Sequence, residues 1–170
     1  MKKILFTILL AFFGVISANA QEIDSLQIKS DTISIESLSA KLDKLQHDYD
    51  YLYCEYKLNH IINELDNYTN QITIFANRAM IFMGDARFDL DTYISYKGLY
   101  DAQYDSVNTF IDSIPTEKND INLKMTHSNF SAIEKFLLQQ YDFRIDSRLI
   151  AVRAALEHFK AVLDFYKKLR

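Results

Sequence analysis

An all-α fold is predicted from three observations. The 170 residues include only three glycines and one proline, 49% of them are apolar, and the apolar positions recur at helical spacing over long uninterrupted runs. Sheet folds draw on Gly and Pro for their tight turns, so this chain is short of material for a sandwich or barrel. The expected architecture is an elongated antiparallel bundle of three long helices, about 34–83, 90–113 and 129–169, with a long linker over 114–128. The alternative is a four-helix bundle whose first helix breaks near 66–70, where Asp66, Asn67 and Asn70 are indifferent helix formers.

Ahead of the helices stands an address. Lys2 and Lys3, the apolar run 4–16 and the small-residue end Ala18-Asn19-Ala20 read as a secretory signal peptide cleaved after Ala20. That run is too short to span a hydrocarbon core needing roughly 20 residues, so no transmembrane anchor is expected after cleavage. Residues 21–33, rich in Ser, Asp and Gln, form a flexible leader, and 34–170 form a single helical domain. The expected location is periplasmic or secreted. Without Lys2 and Lys3, 17 bases face 23 acids, a net charge of −6 that disfavours nucleic acid as a partner.

The first helix carries two stripes. Ile35, Leu38, Leu42, Leu45, Tyr49, Leu52 and Tyr56 recur at alternating spacings of three and four, a narrow seam of the coiled-coil type. A second seam follows out of phase: Cys54, Leu58, Ile61, Leu65, Tyr68, Ile72, Phe75, Ala79 and Phe82. The narrow seam suits one partner helix, the wider apolar face after it suits two, and Gly84 is the expected C-cap.

The second helix is expected to start at Asp89 or Asp91 and to stop before Pro115, whose ring opposes a helix interior. Gly98 inside it suggests close packing or a soft kink. The linker is expected to run back along the narrow seam, with Ile121, Leu123 and Met125 tucking one edge onto it. The last helix, capped by Ser128 or Asn129, presents Phe130, Ile133, Leu137, Tyr141, Ile145, Leu149, Val152, Leu156, Phe159, Leu163 and Tyr166. Residues 85–120 hold 8 acids and 3 bases, whereas 121–170 hold 5 acids and 9 bases, so the basic end of the last helix is expected beside the acidic middle helix.

Catalytic signatures are missing. With glycines only at 14, 84 and 98, no dinucleotide turn, phosphate-binding loop or nucleophile elbow can be written. His47, His60, His127 and His158 fall off the seams, and no Glu-x-x-His or H-E-x-x-H pair exists. Cys54 has no intrachain partner and lies on an apolar stripe, which favours a small core residue over an intermolecular disulfide. No metal or other cofactor is expected, and the protein reads as a non-enzyme.

Tyrosine is the conspicuous residue: Tyr49, Tyr53 and Tyr56 on the first helix, Tyr93, Tyr96, Tyr100 and Tyr104 on the second. A ring with a polar tip suits half-covered seams and binding surfaces alike, so these seven are the candidate partner-binding residues. Asp-Ser/Thr-aliphatic tripeptides at Asp24, Asp31, Asp105 and Asp112, and sequons at Asn67 and Asn129, are short candidate glycosylation signals. The functional expectation is an exported bundle that binds another protein or an envelope component, with self-association open. The alternative is a carrier of a small apolar or aromatic molecule with the 115–129 linker as its lid.

Overall fold

The computed structural model describes residues 35–83 and 89–168. The expected signal peptide, leader and Gly84 cap lie outside the described residues. The chain divides into two units, Met1–Leu38 and Ser39–Arg170. Of the first, only residues 35–38 are described, as the opening turn of α1; the account below concerns the second.

Three helices make the bundle: α1 Ile35–Met83, α2 Leu90–His127 and α3 Ala132–Lys168. The predicted all-α, three-helix architecture is what the protein adopts, with no strand among the described residues. Side-chain pairs give its direction. Tyr53 meets Asp120, Lys57 meets Glu117 and Phe82 meets Tyr96, so α1 and α2 are antiparallel. His47 meets Glu134, Glu55 meets Tyr141 and Asp66 meets Arg148, so α1 and α3 are parallel.

Helix α1 runs unbroken through 66–70, which excludes the four-helix alternative. The indifferent residues are accommodated locally: Thr69 Oγ1 donates to the Leu65 carbonyl, and Asp66 pairs with Arg148 Nε at 2.7 Å. Its second seam runs along the core. Cys54, Leu58, Ile61, Leu65, Ile72 and Ala79 are buried, with Ala76 beside them, in one cluster with Val107, Ile114 and Ile121 of α2 and Leu138, Ile145, Val152 and Phe159 of α3. Tyr68 and Phe75 are half-buried, and Phe82 at the end of the seam is 47% exposed.

Pro115 does not end the middle helix. Helix α2 continues through it to His127, so the expected linker over 114–128 is replaced by three further helical turns and a tight connection. An interior proline removes the donor to the carbonyl of Ile111 and costs about 3 kcal/mol. Against this, Val107, Ile114 and Ile121, seven residues apart, extend one buried stripe across the proline, and each buried Ile returns roughly 1.5–3 kcal/mol. Pro115 itself sits on the exposed side. Because the segment is helical, Ile121, Leu123 and Met125 do not share an edge: Ile121 is buried, Met125 half-buried and Leu123 exposed.

The connection differs from expectation as well. Ser128 is the C-cap of α2, donating its backbone N–H to the Lys124 carbonyl, and Asn129 adopts the left-handed conformation at φ 50. Helix α3 is capped by Ser131 in a reciprocal box: Glu134 N donates to Ser131 Oγ at 3.2 Å, and Ser131 N donates to Glu134 Oε2 at 2.8 Å. The start of the α3 stripe shifts accordingly. Ile133 and Leu137 face solvent, and Leu138, seven residues before Ile145, takes the core position. At the other end, Asp89 caps α2 as expected by accepting from Thr92 N at 2.9 Å. Gly98 is exposed with open space beside it, so neither close packing nor a neighbour requires it.

Candidate interaction surface

From Leu38 to Tyr56 the narrow seam of α1 is not covered by α2 or α3. Leu42, Leu45, Tyr49, Leu52 and Tyr56 are all exposed, Leu45 at 66% and Tyr56 at 68%. The expectation that one helix covers this seam is corrected. The side of α1 that meets α2 and α3 at this level carries His47, Asp50, Tyr51 and Cys54 instead, on the face opposite the seam, with Tyr53 at the seam's edge. Residues 39–46 are exposed on every side, because the α2–α3 connection packs at the level of His47 and Asp50 and none of the described residues reaches further.

A second uncovered stripe lies on α3. Ile133, Phe136, Phe143 and Ile150 are exposed, Phe143 at 78%, with Gln140 and Ser147 completing the three-four spacing between them. No charged side chain interrupts this run. The sequence reading missed it, although the same three-four count that found the α1 seam finds it once Ile133 is released from the core stripe. Large apolar side chains at regular spacing on the outer faces of two helices are uncommon in a protein that works alone.

The tyrosines separate into two groups. Tyr53 donates from its hydroxyl to Asp120 at 3.0 Å and lies under the Lys124 ammonium, while Tyr49 and Tyr56 belong to the exposed seam. Hydrogen bonding to Asp120, burial and the charge of Asp120 hold the Tyr53 phenol above its ordinary range. Tyr93 stacks on Tyr166, Tyr96 packs on Phe82 and Tyr100 meets Phe159 edge-on, so these three are packing residues at the other end of the bundle. Tyr104 is exposed beside Tyr100. The seven do not form one patch.

Asp50 ties the connection to α1. Buried at 7% exposure, its carboxylate accepts from Ser128 Oγ at 2.6 Å, Lys124 Nζ at 2.9 Å and Gln46 Nε2 at 3.1 Å. Burial pushes the carboxyl up, but the hydrogen bonds from Ser128, Lys124 and Gln46 and the Lys124 charge outweigh it and hold the group below its ordinary value. The hydrogen bond to Asp50 raises Lys124 in turn. Two donors from the end of α2 thus converge on one residue of α1, which positions the connection and the seam behind it.

The remaining candidates fall into place as structure. Burial pushes the Cys54 thiol up, and the residue is fully enclosed in the core. His47 lies 3.4 Å from Glu134 and edge-on to Phe130. Among the described residues no group of His, Cys, Asp and Glu is arranged to hold a metal ion, and no helix is long and apolar enough to cross a membrane. Residues 115–127 are helix, where a linker was expected. The void beneath them, lined in part by Leu58, Ile121, Met125 and Leu138, measures about 20 Å³, room for about one water molecule. Comparison with protein-family models, curated proteins and solved structures gives no match.

Proposed function

We propose that this protein is an exported, non-enzymatic interaction module that binds other macromolecules through the outward faces of its helices. The observation that carries the reading is the pair of uncovered three-four stripes, Leu42 to Tyr56 on α1 and Ile133 to Ile150 on α3. Each lies outside a complete core, so its apolar area stabilises nothing in the isolated bundle and is available to a partner. An acidic net charge and the signal-peptide pattern at residues 1–20 point to another protein or an envelope component outside the cytoplasm. The tyrosines contribute at the seam, through Tyr49 and Tyr56.

Site-specific photo-crosslinking in the source cells tests this. A benzophenone side chain at position 143 or 45 is expected to give discrete adducts, and the same probe at the polar, exposed Asp112 none. Absence of discrete adducts from both stripes refutes the reading. Recovery of a mature chain beginning at Gln21 from outside the cytoplasm supports export, and an uncleaved cytoplasmic chain refutes it.

A further inference from the structure

We infer that the α1 stripe binds a second copy of this chain, the two α1 helices running antiparallel with Leu42 of each copy opposite Leu45 of the other; this rests on the interaction-module reading. The seam has coiled-coil spacing, with Leu42, Tyr49 and Tyr56 at one core position and Leu38, Leu45 and Leu52 at the other. Such a stripe is covered best by a helix with the same spacing, which a second α1 supplies.

Charge selects the direction. Lys41 and Asp48 occupy equivalent flanking positions, one heptad apart. In a parallel pair, Lys41 faces Gln46 and Asp48 faces Tyr53, so no ion pair forms. In the antiparallel register, Tyr49 falls opposite Leu38 and Lys41 falls opposite Asp48 twice, once on each side of the two-fold axis, with no like-charge contact between these positions. Shifting that register by a heptad sets Asp48 against Asp48.

Placement agrees. In this register the described helices overlap over residues 38–49, where Leu38, Leu42, Leu45 and Tyr49 leave roughly 400 Å² per copy to be covered, the size of a weak, reversible interface. The stripe points away from the core, so each bundle lies behind its own α1 and the two do not collide. Residues 39–46 extend past the bundle as a single exposed helix, a length that is marginal in water by itself. Docked against the other copy, this stretch covers the other's stripe and is covered by it.

Sedimentation equilibrium of the full chain over 1–200 μM tests the pairing. A dimer is expected, weakened at least 100-fold by Leu45→Glu and about 10-fold by either Lys41→Glu or Asp48→Lys. The double variant, K41E with D48K, is expected to restore wild-type affinity because it exchanges the two partners. Circular dichroism and melting should stay unchanged in the single charge variants, whose side chains lie outside the core. A monomer throughout, a dimer insensitive to Leu45→Glu, or a double variant that stays weak overturns the proposal. A monomer that still crosslinks to a different macromolecule at position 143 overturns the pairing and leaves the interaction-module reading standing; a monomer without adducts at 45 or 143 overturns both.

Discussion

Replacing Asp50 by Asn removes one charge from the junction between α1 and the α2–α3 connection while preserving its shape. The wild-type carboxylate accepts three hydrogen bonds, from Ser128, Lys124 and Gln46. Bonds to a charged group contribute roughly 1.5–3 kcal/mol each, but not all of that is lost. Gln46 is exposed and Lys124 is one-third exposed, so both regain water, and the Asn oxygen still accepts from one donor. The expected loss is about 2–3 kcal/mol, which lowers Tm by roughly 6–9 °C in a chain of this size.

The pH dependence supplies an independent readout. The folded Asp50 is held below its ordinary value, so its contribution is complete above pH about 4 and is lost as pH falls through the folded value. Asp50→Asn should therefore cost most at pH 7 and progressively less as pH falls below about 4, flattening the acid limb of the stability curve. Calorimetry across pH 2–7 measures both effects. A loss under about 0.5 kcal/mol at pH 7, or an acid limb as steep as in the wild type, refutes the assignment of Asp50 as the charged tie.

Three further outcomes are expected. Gly98→Ala should stabilise the protein by about 0.5–1 kcal/mol in urea unfolding, because the site is exposed, helical and open, and the substitution removes only backbone entropy. Pro115→Ala should stabilise by about 1–3 kcal/mol by restoring the donor to the Ile111 carbonyl, and an unchanged or lower denaturation midpoint would contradict a proline tolerated only for the sake of Ile114 and Ile121. Cys54 should react with a thiol reagent at least about 100-fold more slowly in the native chain than in urea, since its thiol is enclosed and its ionisation suppressed by burial.

Much of this architecture was legible before folding. The second seam of α1, from Cys54 to Ala79, is read from spacing alone because its positions are apolar throughout and lie in or against the core. Pro115 illustrates the opposite case. Its local cost argues for a helix end, and only the continuation of the Val107, Ile114, Ile121 stripe on its far side shows that packing outweighs that cost. The first turns of α3 misled for a related reason: Ile133 and Leu137 fit the apolar period as well as Leu138 does, and periodicity does not distinguish two faces that are both apolar. The Asp50 tie was not legible at all, since Lys124 and Ser128 are 74 and 78 residues away along the chain.

The chain by itself determined that the protein is helical and where its core seam runs, because those properties follow from backbone preferences and from spacing within one element. Tertiary structure decided which of the apolar stripes is inside. Two seams on α1 carry similar residues at similar spacing, and what separates them is that α2 continues past Pro115, turns at Asn129 and returns as α3 on the Cys54 side. Once that side is filled, no further helix remains among the described residues, and the stripe from Leu42 to Tyr56 is left facing outward.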